Sequence, residues 1–117
     1  MPIILIVEDN AQMRRMLRTV VADLATGIYE CQDGKEALAA YQQHHPDIVL
    51  MDISMKEMDG IAATRQIVEA DPKARIIIVT NFDDEDMRDA ARSAGARGYV
   101  LKDNVLDVRQ QLQLLAA

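Results

Sequence analysis

The chain has 117 residues and a formal net charge of −6 at pH 7, and 50% of its residues are hydrophobic. This length predicts one domain over residues 1–117, and the apolar content excludes a disordered chain. The acidic balance argues against direct binding of nucleic acid. The single cysteine excludes an internal disulfide framework, and no window is apolar enough to span a membrane. We therefore expect a cytoplasmic protein.

The first half of the chain begins with a short apolar run, residues 3–7, which predicts a strand buried on both faces. This strand leads directly into Glu8 and Asp9. Asn10 is suited to cap a helix, and Gly27 is predicted to end it. The apolar face of that helix is predicted to contain Met13, Met16, Leu17, Val20, Val21 and Leu24. A strand over residues 28–31 and a helix over residues 35–43 follow.

The remaining strands also end in residues with polar side chains. Residues 48–51 predict a buried strand that ends at Asp52, residues 76–79 one that ends at Thr80, and residues 99–101 one that ends at Lys102. A helical pattern follows each of these strands. Asp83 or Asp84 can cap the fourth helix, and Gly95 supplies its left-handed exit. Five strands alternating with five helices predict an α/β fold, a (βα)5 doubly wound five-stranded parallel sheet.

The strand ends form a set, because the carboxyl ends of parallel strands meet at one edge of the sheet. Glu8, Asp9 and Asp52 would repel one another there unless a hard cation intervened, and an all-oxygen ligand set favours Mg²⁺ or Mn²⁺. Thr80 and Lys102 are suited to hold the oxygens of a phosphoryl group, with Asp52 as the nucleophile that accepts it. The alternative is a surface ion-pair cluster without chemistry.

These residues, together with Met58-Asp59-Gly60 and the segment from Gly95 to Lys102, resemble the receiver domain of bacterial two-component response regulators. The resemblance covers residues 3 to about 115 and implies a flavodoxin-like fold. It implies that Asp52 is the phosphoacceptor for a sensor histidine kinase or phosphotransfer protein. It also implies that Mg²⁺ is held directly by Asp9, Asp52 and the Ser54 backbone carbonyl, and through water by Glu8.

The resemblance further assigns the switch. Thr80 and Lys102 would bind the phosphoryl oxygens, and Tyr99 would turn inward on phosphorylation; apart from the resemblance, Tyr99 is an ordinary strand aromatic with its hydroxyl in water. Such a protein catalyses only its own phosphorylation and dephosphorylation, and it can form a phosphorylation-dependent homodimer. The kinase would contact Arg15 and Arg18, whose alternative interpretation is a solvated helix face.

Several positions depart from the family pattern. Lys56 replaces a usual proline and either adds a cation near the phosphoryl site or is solvated. Asn81 stands where a small residue is usual and Phe82 follows it, and we predict that these two restrict access to Asp52 and slow the attack of water. Asp103 follows Lys102 where the family often has proline after a cis bond, which leaves the geometry of that bond open.

The output is less constrained than the site. Residues 98–103, Gly-Tyr-Val-Leu-Lys-Asp, resemble the NarL/LuxR type of regulator, which predicts control of transcription through a DNA-binding domain that this chain does not include. A stand-alone receiver acting by protein–protein interaction is the alternative. A Mg²⁺-dependent phosphohydrolase with an aspartyl nucleophile would need a second Asp where Ser54 stands. A flavodoxin-like cofactor binder would need a phosphate loop where Glu8-Asp9-Asn10 stands.

Overall fold

The computed structural model describes residues 2–55 and 58–116, with side chains up to residue 115. Its five strands pair in parallel in the order β2-β1-β3-β4-β5. The strands are β1 (Ile3–Val7), β2 (Gly27–Cys31), β3 (Ile48–Met51), β4 (Ile76–Thr80) and β5 (Gly98–Leu101). The helices are α1 (Ala11–Val21), α2 (Gly34–His44), α3 (Gly60–Ala70), α4 (Glu85–Ala94) and α5 (Asp107–Ala116). The predicted α/β doubly wound fold is therefore confirmed.

The helices divide between the two faces of the sheet and form two cores. On one face, α1 and α5 pack Leu17 and Leu112 against Ile4 and Ile6 of β1. On the other face, α2, α3 and α4 pack against alternate residues of the strands, which are Leu5, Val7, Val49, Met51, Ile76 and Ile78. All four residues of β3 have no solvent exposure, which explains why its sequence is an unbroken apolar run.

Helices α1, α2, α3 and α4 each follow a residue whose side chain accepts a hydrogen bond from the third helical amide. These residues are Asn10, Asp33, Asp59 and Asp84. The structure thus confirms Asn10 as a cap and selects Asp84 over Asp83 for α4. Gly95 ends α4 in the left-handed conformation, with φ of 109°.

The prediction that Gly27 ends the first helix is wrong. Helix α1 ends at Val21, a short 3₁₀ turn covers Ala22–Leu24, and Ala25 is extended with φ of −119° and ψ of 143°. Because the chain leaves this turn through an extended residue, no left-handed glycine is needed there, and Gly27 instead begins β2 opposite Ile3. Met16, predicted on the apolar face, is 48% exposed. It is rotated by about 100° from Leu17, which faces the sheet.

Among the residues that the structure describes, no helix has both the length and the apolar character that crossing a membrane requires.

Candidate functional site

Three acidic side chains meet at the carboxyl edge of the sheet. Glu8 and Asp9 follow β1 and Asp52 follows β3, and because these strands are neighbours, one oxygen from each carboxylate lies within 4.8 Å of the other two. Glu8 is fully buried, Asp52 is 4% exposed, and Asp9 faces solvent. The structure therefore brings together the three predicted acids, two inside the fold and one at its rim.

Lys102 bridges the two buried acids from the end of β5. Its Nζ lies 2.9 Å from Glu8 Oε1 and 3.2 Å from Asp52 Oδ1. Burial alone would lower the pKa of Lys102, but the hydrogen bond to Glu8 and the charges of Asp52 and Glu8 outweigh burial and raise it. The ammonium group is thus a fixed positive charge between two carboxylates.

The charge of the Glu8 carboxylate is only partly compensated in this cluster. Burial raises the pKa of Glu8 to about 7, the hydrogen bond from Lys102 opposes that rise, and the charge of Asp52 adds to it. Its Oε2 accepts a hydrogen bond from the Asn10 amide at 3.1 Å. One lysine therefore does not fully compensate the acids, and a second cation would favour the ionised form of Glu8.

The donor set fits a hard divalent cation. Glu8 Oε1 is buried, and its close partner among the described residues is Lys102 Nζ at 2.9 Å, which Glu8 shares with Asp52. A buried carboxylate that shares one ammonium group with a second carboxylate, beside a third, is the all-oxygen arrangement that Mg²⁺ and Mn²⁺ prefer. Ser54 is exposed, and it lines the same groove as Asp9. This groove has a volume of about 760 Å³. Its backbone carbonyl as a metal ligand stays a prediction.

Two predicted switch residues are linked through the main chain of Phe82. Thr80 is buried, and its hydroxyl oxygen accepts a hydrogen bond from the Phe82 amide at 3.3 Å. The Tyr99 hydroxyl donates to the Phe82 carbonyl at 2.6 Å, and the Arg88 guanidinium lies 4.5 Å from the centre of the Tyr99 ring. The Tyr99 hydroxyl is thus held by the β4–α4 loop and is not left with water alone.

The residues predicted to restrict access lie on two sides of the acids. Phe82 is 41% exposed and lines the groove that contains Asp9 and Ser54. Asn81 lines a second cavity, of about 430 Å³, together with Lys102. Their effect on the attack of water stays a prediction, and Lys56 lies outside the described residues.

The peptide bond between Lys102 and Asp103 is trans, as are all others in residues 2–55 and 58–116. Lys102 reaches the acids from a 3₁₀ turn that covers Lys102–Asn104. The aspartate that replaces the family's usual proline therefore accompanies an ordinary trans bond.

Gly60 lies against the main chain of Asp52. Its amide donates to the Ile53 carbonyl at 2.8 Å, and a Cβ atom at position 60 would lie 1.9 Å from the Asp52 carbonyl oxygen. On its other side, the Asp52 amide donates to the Val7 carbonyl at 2.9 Å. The absence of a side chain at position 60 is therefore what lets α3 begin against the end of β3.

Two residues near the site carry no sequence signal for their contacts. Arg14, at the flank of the apolar face of α1, donates to the carbonyl oxygens of Glu8 and Asp9. Glu30 on β2 pairs with both Arg14 and Arg18. Arg15 is exposed, and Arg18 is engaged by Glu30, so contact of Arg15 and Arg18 with a kinase stays a prediction.

The chain is similar to known proteins in both sequence and fold. A family profile described as the response regulator receiver domain matches residues 4–113. The chemotaxis protein CheY of Bacillus subtilis is 39% identical over 100 residues, which cover 85% of this chain and 83% of that protein. A solved LuxR-family response regulator from Aurantimonas has a TM-score of 0.88 at 33% identity, over 98% of this chain and 85% of that one. CheY in a CheX–CheY–BeF3–Mg complex from Borrelia burgdorferi has a TM-score of 0.91 at 28% identity, over 98% and 89%.

Proposed function

Because the chain belongs to the response regulator receiver domain family, we propose that Asp52 accepts a phosphoryl group from a sensor histidine kinase or phosphotransfer protein. The modification occurs on the protein itself and switches its conformation. Glu8, Asp9, Asp52 and the Ser54 carbonyl would hold Mg²⁺, which supplies neutralisation of the charge on the transferred group.

One observation carries this proposal, the convergence of three carboxylates within 4.8 Å beside the ammonium group of Lys102. Only Asp52 of the three stands at the end of β3, the middle strand of the sheet order, where its amide donates to the Val7 carbonyl and its own carbonyl lies against Gly60. A nucleophile needs a held position more than it needs a shifted pKa when the group it attacks is a phosphoryl. Asp52 meets that requirement.

The step itself is a direct displacement. A carboxylate oxygen of Asp52 forms a bond to phosphorus, the bond from phosphorus to the donor's nitrogen or oxygen breaks, and that atom leaves with the electron pair. Lys102, already 3.2 Å from Asp52 Oδ1, can exchange this contact for an oxygen of the bound phosphoryl group. Thr80 is the neighbouring hydroxyl donor for a second oxygen.

The contacts of Phe82 support a conformational response to that group. Thr80 and Tyr99 each use the main chain of Phe82, one its amide and the other its carbonyl. If the Thr80 hydroxyl turns to a phosphoryl oxygen, the Phe82 amide loses an acceptor, and the loop that holds the Tyr99 hydroxyl is free to move. A local change in hydrogen bonding is thereby converted into a change at β5, as a two-state switch requires.

The proposal is tested by the intact mass of the protein after incubation with acetyl phosphate. We expect a gain of one phosphoryl group with Mg²⁺, and none with a chelator or in the Asp52→Asn variant, which retains size but not the nucleophilic charge. A gain of mass that persists in Asp52→Asn would contradict the proposed role of Asp52. Circular dichroism of each variant would establish that it is folded.

The relatives point to two outputs. Similarity to a LuxR-family regulator favours control of transcription through a DNA-binding domain, and similarity to CheY favours direct contact with a protein target. We propose the first, since residues 98–103 also carry the NarL/LuxR wording. A phosphorylation-dependent homodimer stays a prediction. The phosphohydrolase and the flavin-type cofactor binder stay alternatives from the sequence, and the family assignment favours neither of them.

A further inference from the structure

The guanidinium group of Arg14 binds the main chain that carries two of the acids. Its Nη1 donates to the Glu8 carbonyl at 2.8 Å and lies 3.4 Å from the Asp9 carbonyl. The Arg14 side chain is only 16% exposed, so this contact is sheltered from water. Arginine is suited to such a position, because its planar fork presents several donors at fixed angles.

The position of Arg14 is set in turn by Glu30, on the edge strand β2. Glu30 Oε1 lies 3.3 Å from Arg14 Nε, and Glu30 Oε2 accepts two hydrogen bonds from Arg18, at 2.7 Å and 3.0 Å. One carboxylate is therefore shared by two arginines that lie one helical turn apart on α1. Only Arg14 of the two also contacts the acidic loop.

We infer that Arg14 is a positioning residue for the cation site, acting through the carbonyl oxygens of Glu8 and Asp9, and that Glu30 holds it in place. The inference rests on the proposed function, since it concerns the cation that the three carboxylates would bind. Outer groups that orient the ligands of a metal commonly change its affinity by about ten- to a hundredfold when they are removed.

A role of Arg14 through charge and a role through positioning predict opposite changes in cation affinity when Arg14 is removed, which makes the inference testable. If Arg14 acted only through its positive charge, removing it would strengthen the binding of a divalent cation. If it acts by holding the loop, removing it weakens binding, because the carboxylates of Glu8 and Asp9 lose a fixed separation. Arg18 provides the matched control, since it carries the same charge and the same partner, Glu30, without touching the loop.

The experiment is calorimetric titration of the whole chain with Mn²⁺, at a temperature at which each variant is folded by circular dichroism. We expect Arg14→Met to raise the Mn²⁺ dissociation constant by about tenfold, while Arg18→Met changes it by less than about twofold. Arg14→Lys keeps the charge without the fork and should not restore native affinity. Glu30→Gln, which keeps Arg14 but removes the charge that holds it, should weaken binding by a smaller factor. Because loss of a negative charge also weakens cation binding, Arg14→Gln is the variant used if Arg14→Met does not fold.

The positioning role of Arg14 and the cation site itself are overturned by different results. Arg14→Met binding Mn²⁺ as tightly as Arg18→Met, or more tightly, would overturn the positioning role alone. Full recovery of affinity in Arg14→Lys would overturn the role of the arginine fork, because a single ammonium donor would then hold the loop equally well. A native chain that binds no Mn²⁺ would overturn the proposed cation site and this inference with it.

Discussion

Replacing Gly60 with alanine is expected to destabilise the fold and displace Asp52. A Cβ atom there would lie 1.9 Å from the Asp52 carbonyl oxygen and 2.7 Å from its carbon, both main-chain atoms that cannot rotate away. Ordinary contact begins near 3.4 Å, so the strand end must move by about 1.5 Å. Helix propensity alone would raise the free energy of unfolding, because alanine is favoured over glycine by about 1 kcal/mol in a helix.

We expect the steric term to exceed the propensity term. Overpacking against a rigid neighbour costs about 1 to 3 kcal/mol or more, so the free energy of unfolding should fall by about 2 kcal/mol and the melting temperature by roughly 8 °C. Urea denaturation followed by circular dichroism measures this change. The same variant should gain a phosphoryl group from acetyl phosphate more slowly than the native chain.

Gly27→Ala is the matched control. The nearest heavy atoms to a Cβ at position 27 lie 3.9 Å and 4.0 Å away, so alanine fits without displacement. It should leave stability unchanged or raise it by up to about 1 kcal/mol, through loss of conformational freedom in the unfolded chain. A Gly60→Ala variant as stable as Gly27→Ala would refute the close approach of α3 to Asp52.

Three further predictions follow from buried or neighbouring groups. Thr64→Val should raise the free energy of unfolding by about 1 kcal/mol in urea denaturation, because the Thr64 hydroxyl is buried without a hydrogen-bond partner among the described residues; a loss of stability would show that it has one. Burial, aided by the charges of Glu36 and Asp33, raises the pKa of the Cys31 thiol to about 12. Alkylation by iodoacetamide at pH 8 should therefore be roughly a thousandfold slower in the native chain than in the unfolded chain. Equal rates would contradict the burial of this thiol. Phe82→Ala should shorten the lifetime of the phosphorylated protein, measured by the decay of its mass, and an unchanged rate would refute shielding by Phe82.

The fold was predictable because its signals are local. An apolar run such as residues 48–51 indicates burial on both faces of a strand. Asn10 indicates the start of a helix through its side chain, and Gly95 indicates the end of one through its backbone freedom. The shared edge of the sheet was predictable for the same reason, since the carboxyl ends of parallel strands lie at one edge. The closeness of Glu8 to Asp52 depends in addition on β1 and β3 being neighbours in the sheet.

The supporting contacts were not predictable from local pattern. The sequence pattern places Arg14 at the flank of a helix. Its partners lie in the β1–α1 loop and on β2, and β2 lies beside α1 only because of the strand order. Gly60 reads as a helix start, and its closeness to the Asp52 carbonyl depends on the angle at which α3 leaves the loop. Gly27 misled because a glycine after a helical pattern resembles a helix end, whereas a 3₁₀ turn had already ended that helix.

The central claim is that the phosphoryl group resides on Asp52, and peptide mapping after borohydride reduction tests it most directly. Borohydride converts an aspartyl phosphate to homoserine, which marks the acceptor by a defined change of mass. After treatment with acetyl phosphate and Mg²⁺, we expect homoserine at position 52 and unmodified Glu8 and Asp9. Homoserine at position 9, or no reducible acyl phosphate in a folded sample, would contradict the account.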